Sequence, residues 1–365
     1  MHRSEEAAAG EAGALDATAR WCFASDNCAG ICPEAWDSMA EANVGFAPGY
    51  GDDAWTQRAS DLMRELFEYP CDVYFTFNGT AANSLALSTL CRPYHGIITH
   101  RTSHIETDEC GGPEFFSHGS KLITVGGDFG RLCLDEVEEA VQRRSDIHSP
   151  KPRALSVTQS TEMGTLYRID DLDRVAEVCR RHRLHLHMDG ARFANAIAAL
   201  RLPPKEVTWK AGVDVLCFGG TKNGMAVGDC VVFFNRELSQ EFAWRCKQAG
   251  QLASKMRYLA APWVGMLEAG AWLKHAEHAN AMAGLLAEKF TEASVELAYP
   301  TEVNAVFARL SPTATNAMRS RGWKFYDFIG SAARLMCSWR TRREDIDALA
   351  ADLRDVNDPR EGATR

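Results

Sequence analysis

Three kinds of pattern are missing from this sequence, and each absence argues against a class of protein. No apolar run approaches the roughly eighteen residues that a membrane-spanning helix needs. Positive charge is not in excess, since the 40 lysines and arginines are outnumbered by 49 aspartates and glutamates, which disfavours nucleic acid and anionic membranes as partners. The twelve cysteines form no CxxC pair, so we expect buried free thiols in a reducing compartment, the cytoplasm, rather than a zinc site or a disulfide framework.

The length of 365 residues allows two domains. Residues 1–20 are acidic, rich in alanine and glycine, and without a hydrophobic signal core, so they predict a disordered tail. Strand patterns alternate with helical patterns up to about residue 222, which predicts an α/β fold with a mostly parallel sheet between helices. We expect a large domain over 21–265 and a smaller C-terminal α+β domain over 266–358. An apolar strand after residue 229 should run antiparallel, and Pro262 should interrupt the helices that follow.

One lysine, Lys222, lies just after a short apolar stretch. The run at 213–218 is typical of a strand buried on both faces, and it ends in a glycine turn before Lys222. Ligands of open α/β sheets collect at the carboxyl ends of the strands. A lysine that loses solvation there can act as an amine nucleophile toward a carbonyl. The turn does not fit the GxxxxGK[ST] phosphate pattern, because its spacing fails.

A second strand-like stretch, at 184–189, ends in a carboxylate, Asp189, and is followed by Gly190. A carboxylate and a lysine at the ends of two such strands are the pair that pyridoxal phosphate needs. The lysine forms the Schiff base, and the aspartate keeps the ring nitrogen protonated so that the ring can accept electrons.

A glycine turn between a strand and a helix offers a place for a phosphate. The strand at 73–77 is followed by Asn78, Gly79 and Thr80 and then by a helical pattern. The first N–H groups of such a helix point at an anion, Gly79 allows close approach, and Thr80 adds a hydroxyl. An ordinary capped strand–helix turn is the alternative.

In this order, the motifs resemble those of the low-specificity L-threonine aldolases, pyridoxal-phosphate enzymes of the aspartate-aminotransferase fold (fold type I). The resemblance covers roughly residues 20–345. It is carried by Ser25-Asp26-Asn27, Tyr50-Gly51-Asp52-Asp53, Asn78-Gly79-Thr80-Ala81-Ala82-Asn83, Ser103-His104, His187-Met188-Asp189-Gly190-Ala191-Arg192 and Gly220-Thr221-Lys222.

The resemblance implies a role for each matching residue. Lys222 would carry the Schiff base, Asp189 would pair with the ring nitrogen, and His104 would stack on the ring. The implied cofactor-binding set is Gly79, Thr80, His104, Asp189, Arg192, Thr221, Lys222 and Arg257, the last reaching the phosphate of a partner subunit. Ser25, Arg192 and Arg334 would bind the substrate carboxylate. His104 and His148 would serve the substrate hydroxyl, in a homodimer or homotetramer with shared active sites.

The implied activity is cleavage of L-threonine, L-allo-threonine and related β-hydroxy-α-amino acids to glycine and an aldehyde. Two departures affect the side-chain preference: Gln159-Ser-Thr-Glu162 replaces the common Glu-Asn-Thr-His, and Asn223-Gly-Met replaces Gly-Leu-Gly. The alternatives are a preference for L-phenylserine-type substrates, and a β-eliminating lyase or transaminase. A binding protein with a degenerate fold ranks last, because Lys222, Asp189 and Arg334 are all present. No metal site is expected, and His275 and His278 are interpreted as surface residues.

Overall fold

The computed structural model describes residues 20–144 and 146–357. Its strands are β1 (Asp72–Thr76), β2 (His95–His100), β3 (Lys121–Val125), β4 (Lys151–Thr158), β5 (His185–Gly190), β6 (Val215–Phe218), β7 (Asp229–Phe233), β8 (Ala305–Ala308), β9 (Tyr326–Phe328) and β10 (Ala332–Met336). Its α-helices are α1 (Pro33–Ala42), α2 (Ala54–Phe67), α3 (Gly79–Leu90), α4 (His104–Thr107), α5 (Gly112–Phe116), α6 (Leu134–Gln142), α7 (Ile169–His182), α8 (Phe193–Leu200), α9 (Phe242–Gln248), α10 (Arg257–Glu268), α11 (Ala271–Glu292), α12 (Pro312–Ser320) and α13 (Arg343–Asn357). The predicted tail at 1–20 lies, apart from Arg20, outside the described residues.

The large sheet has seven strands in the order β1-β7-β6-β5-β4-β2-β3. The pairs β6-β5, β5-β4, β4-β2 and β2-β3 are parallel, whereas β7 runs antiparallel to both of its neighbours. The predicted α/β fold with a mostly parallel sheet is therefore confirmed, as is the antiparallel strand after residue 229. Because β4, β5 and β6 point the same way, the loops that follow them meet at one edge of the sheet.

The first turns of two helices follow from local chemistry. The Asp53 side chain accepts a hydrogen bond from the backbone N–H of Thr56 and caps α2, and Asn78 caps α3 in the same way through Ala81. A side-chain oxygen at the cap satisfies one of the free N–H groups of the first turn. Both helices therefore begin where the sequence provides a cap.

Pro262 does not interrupt the helical region, contrary to the prediction. It lies inside α10, and the actual breaks fall between α9 and α10 and at Gly270, which adopts a left-handed conformation with φ of 62°. A proline inside a helix removes one intrahelical hydrogen bond, and its ring clashes with the carbonyl group four residues earlier, at a cost of about 3 kcal/mol. Pro262 is buried and its neighbour Trp263 belongs to the large-sheet core, so burial of this part of α10 offsets the local penalty.

A second, three-stranded antiparallel sheet in the order β8-β10-β9 follows α11. The first turns of α11 place Trp272 and Ala276 in the core of the large sheet, and its later turns place Leu286 and Phe290 in a separate core with β8 and β10. The division into domains at 265 and 266 remains a proposal. Among the described residues, no helix has both the length and the apolar character that crossing a bilayer requires.

Candidate active site

A cavity of about 330 Å³ lies where the ends of β5 and β6 meet the N-terminus of α3. Six of the residues singled out in the sequence line it together: Gly79, Thr80, His104, Asp189, Thr221 and Lys222. A larger cavity of about 710 Å³ near His100 and Arg131 contains none of the predicted site residues. The chemistry therefore points to the smaller cavity.

The turn that carries Lys222 is held by a buried carboxylate. Gly219 directly follows β6 and packs closely against the backbone of Ala191. An added Cβ would lie 2.4 Å from the carbonyl oxygen of Ala191, so only glycine fits there. One oxygen of Asp229 then accepts hydrogen bonds from the backbone N–H groups of Gly220 (2.8 Å) and Thr221 (3.2 Å). Burial raises the pKa of Asp229. Within the described parts of the chain, the Lys222 amine has no hydrogen bond or ion pair, so it is free to react.

Asp189 ends β5 as a buried carboxylate with two partners. Its Oδ1 accepts from the backbone N–H of Ala191 at 3.0 Å, and its Oδ2 accepts from the side-chain amide of Asn83 at 3.1 Å. Asn83 lies in the second turn of α3, so the helix that begins at the cavity also orients the carboxylate. These bonds fix the carboxylate in place beside the cavity.

The cavity wall at α3 carries donors suited to an anion. Asn78, Gly79 and Thr80 line the cavity where α3 begins, and the positive end of a helix dipole favours negative charge there. The Thr221 hydroxyl oxygen is buried and, as far as the structure describes the chain, has no hydrogen-bond partner. A phosphate group would use both features.

His104 is tied to Asp189 through two intervening side chains. Its Nδ1 lies 3.0 Å from Oε1 of Glu109, and the same oxygen accepts from Asn83, which also donates to Asp189. The hydrogen bond to Glu109 raises the pKa of His104. Burial raises the pKa of Glu109, although its bonds to His104 and Asn83 act in the opposite direction.

The two predicted carboxylate-binding arginines differ in their surroundings. Arg192 already forms a two-pronged ion pair with Asp26, with Nε–Oδ2 at 2.7 Å and Nη2–Oδ1 at 3.1 Å. Burial alone would raise the pKa of Asp26, but Arg192 and Lys222 hold it below the ordinary value. Arg334, on β10, has a buried Nε without a partner among the described residues, and its guanidinium lies over Phe328 at 5.2 Å.

Five predicted residues do not line this cavity: the two arginines described above, and Ser25, His148 and Arg257. Ser25 is half-buried, caps the turn Asp26–Cys28 by accepting from Asn27, and faces a neighbouring cavity. His148 is exposed and precedes β4, at the amino end of a strand about 25 Å long, whereas the cavity lies at the carboxyl edge. Arg257 begins α10, with its guanidinium 4.9 Å from the ring centre of Tyr258.

Four site residues were missed, or were given no place in the predicted site. Asp26 and Asn83 were quoted only as parts of motifs, Glu109 was considered only as an alternative base to the histidines, and Asp229 was not singled out at all. Asp229 did leave a signal, because it is an acidic residue at the start of an otherwise apolar strand. Its buried position makes such a charge costly unless it has partners.

Comparisons with known proteins agree with this geometry. A sequence model of the beta-eliminating lyase family matches residues 23–313. A low specificity L-threonine aldolase of Pseudomonas sp. is 58% identical over 336 residues, covering 92% of this chain and 97% of the relative. A threonine aldolase structure from Leishmania major has a TM-score of 0.86 at 27% identity, covering 91% of this chain and 98% of its own.

A more distant structure shares the fold alone. An alanine–glyoxylate aminotransferase from Nostoc sp. has a TM-score of 0.68 at 14% identity, covering 95% of this chain and 97% of its own. The predicted fold, type I of the pyridoxal-phosphate enzymes with a small C-terminal sheet, is confirmed by these likenesses.

Proposed function

The chain belongs to the beta-eliminating lyase family, and within it we propose that this protein is a low-specificity L-threonine aldolase, a carbon–carbon lyase. It cleaves L-threonine, L-allo-threonine and related β-hydroxy-α-amino acids to glycine and an aldehyde. The observation that carries the proposal is the convergence of Lys222, Asp189 and the start of α3 on one cavity. The identity of 58% over 92% of the chain to an aldolase favours this reaction over β-elimination or transamination.

The cavity fits pyridoxal phosphate. The unpartnered amine of Lys222 suits the cofactor's aldehyde, the fixed carboxylate of Asp189 suits its ring nitrogen, and the buried Thr221 hydroxyl and the start of α3 suit its phosphate. When bound, the cofactor supplies an electron sink for the negative charge left at Cα when the bond to Cβ breaks.

Substrate orientation comes mainly from Arg334. The half-buried guanidinium of Arg334 can form a fork with the substrate carboxylate, since no carboxylate of the described chain occupies it. Arg192 is committed to Asp26, so we assign it a supporting position beside the cavity, with Ser25 on the adjacent turn. A charged fork of this kind sets both the position and the direction of the amino acid.

Proton removal from the β-hydroxyl falls to His104. It lines the cavity, its Nδ1 is held by Glu109, and a histidine is the side chain whose ordinary pKa lies near neutrality. The hydrogen bond at Nδ1 fixes the ring, so that Nε2 is the atom that can accept a proton. His104 also offers a flat ring that can stack on the cofactor.

We further propose a homodimer or homotetramer with shared active sites. Neither exposed His148 nor half-buried Arg257 lines the cavity of its own chain, which suits contribution to the site of a neighbouring subunit. A cytoplasmic location is supported by the cysteines, all twelve of which are free, since free thiols are typical of a reducing compartment.

The test is a substrate panel with purified protein and added pyridoxal phosphate. We expect glycine and the matching aldehyde from L-threonine, L-allo-threonine and L-phenylserine, whose relative rates define the side-chain preference. Lys222→Ala is the control and should form neither product. Release of ammonia and a keto acid, or transfer of the amino group to an added keto acid, without glycine would reject the aldolase assignment.

A further inference from the structure

Outside the active site, three side chains with metal-ligating atoms meet where α1 begins. They are Cys32, the residue before α1, Glu34 in its first turn, and His275 in α11. The Cys32 sulfur, a Glu34 carboxylate oxygen and a His275 ring nitrogen all lie within 4.8 Å of one another. A fourth atom, the thioether sulfur of Met266, lies 3.2 Å from the Cys32 sulfur.

The spacing of these atoms suits one small ion. Zinc binds nitrogen and oxygen at about 2.0–2.2 Å and sulfur at about 2.3 Å, so the ligand atoms of a tetrahedral site lie about 3.3–3.7 Å apart. The His275 Nε2 to Glu34 Oε2 distance is 3.0 Å, a few tenths of an ångström shorter than that. The three ligand atoms lie within 4.8 Å of one another, so binding an ion requires them to approach one another by up to about 1 Å.

The chemistry of the donors selects the class of ion. Thiolate and thioether sulfur favour soft metals such as zinc and copper(I), and imidazole suits the same ions, whereas magnesium and calcium prefer oxygen alone. We propose that Cys32, Glu34 and His275 bind one thiophilic transition-metal ion of the Zn²⁺ type, with Met266 as a neighbouring soft contact. The sequence spacing did not reveal this site, because 241 positions separate Glu34 from His275.

The three proposed ligands differ in their exposure to solvent. Cys32 is fully buried, while the side chains of His275 and Glu34 are 17% and 33% exposed. An ion can therefore enter past Glu34 and reach the sulfur beneath. An entry path is one of the requirements of a metal site in a folded protein.

The cluster is attached directly to the lysine turn. The backbone N–H of Cys32 donates to the carbonyl oxygen of Gly224 at 2.8 Å, and the amide of Asn223 donates to the carbonyl oxygen of Trp272 in α11 at 2.7 Å. An ion that joins α1 to α11 at Cys32 and His275 would clamp both sides of residues 222–224. We therefore expect the ion to stabilise the fold around the turn without touching the reacting atoms.

The experiment uses the holoenzyme, freed of metal by dialysis against a chelator and titrated with Zn²⁺ in the absence of amino acid. We expect one ion per chain, a higher melting temperature, and no displacement by excess Mg²⁺. Cys32→Ser and His275→Gln should each weaken Zn²⁺ binding at least about 100-fold, since even changes in outer-sphere partners of a metal site cost 10–100-fold. With Co²⁺ as the probe, a thiolate charge-transfer band should appear and be lost in Cys32→Ser.

Two matched variants control for unrelated thiols and imidazoles. Cys110→Ser removes an exposed cysteine, and His278→Gln removes the next histidine on α11, whose ring bonds to the carbonyl oxygen of Thr341. Neither should change the stoichiometry. If Cys32→Ser fails to fold, His275→Gln, which can still donate to Glu34, decides alone.

Two results would overturn the proposal. One is wild-type protein that takes up no Zn²⁺, as expected if the His275–Glu34 hydrogen bond and the Cys32–Met266 sulfur contact serve only the packing of α1 against its neighbours. The other is His275→Gln protein that binds Zn²⁺ as tightly as wild type.

Discussion

Replacing Glu109 with glutamine should change the pH at which the enzyme becomes active. The substitution keeps the shape of the side chain and its hydrogen bond to Asn83, but it removes the negative charge 3.0 Å from His104 Nδ1. Glu109 is buried, so water cannot take over its role of stabilising the protonated His104 ring. The histidine therefore loses its main stabilising partner for the protonated form.

The sign and the size of the effect follow from this contact. The bond to Glu109 raises the pKa of His104, and a base must be neutral to accept a proton, so removal of the charge should move the acidic limb of the pH profile to lower pH. A hydrogen bond to a charged group contributes about 1.5–3 kcal/mol, and one pKa unit is about 1.4 kcal/mol. Because the His104 side chain is 26% exposed, we expect the low end, a shift of about one pH unit.

The assay is kcat/KM for threonine cleavage from pH 5 to 9, with cofactor saturation checked by absorbance at each pH. The maximal rate should also fall, because a base of lower pKa is weaker, but by less than the roughly 10²–10⁴-fold that a general base contributes in total. Asp108→Asn is the matched control: it lies 3.6 Å from the other ring nitrogen of His104 but is 81% exposed, so its loss should shift the limb far less. An unmoved limb in Glu109→Gln, or one that moves to higher pH, would show that His104 is not the base.

Three further outcomes are expected. Lys222→Ala should bind pyridoxal phosphate without covalent attachment and should no longer cleave threonine. After borohydride reduction of the wild type, the modified peptide should contain Lys222, and a modified lysine elsewhere would contradict the assigned site. Arg334→Lys keeps the charge but loses the fork, so the KM for threonine should rise about 10–100-fold with cofactor affinity unchanged; the reverse pattern would contradict its role. Asp26→Asn leaves Arg192 buried and unpaired, at a cost of about 3–5 kcal/mol in denaturant unfolding at pH 7. Because the Asp26 pKa is lowered in the folded state, its contribution is present above its ordinary pKa near 3.8 and is lost as pH falls below that, so wild type and variant should converge in acid; a constant difference would refute the pairing.

Local patterns were sufficient to predict the strands that carry the site. Apolar runs before Asp189 and Lys222 became β5 and β6, and the turn at Gly79 became the start of α3. The ends of parallel strands share one edge whatever the loops do, so residues placed at those ends could be assigned to one site without coordinates. Pro262 was mispredicted because tertiary packing, which no local rule contains, outweighed the lost hydrogen bond.

The sequence by itself determined the order of the elements, the parallel sheet and the residues at its carboxyl edge. Each of these follows from the pattern of apolar residues and the position of the strand ends, which a few neighbouring residues are enough to define. What only the tertiary structure decided is which charges and donors meet. Asp26 reaches Arg192 across 166 positions, and Cys32 and Glu34 meet His275 across more than 240. Such pairs leave no periodic trace, because a buried charge or thiol needs only one partner and the fold can supply it from anywhere in the chain.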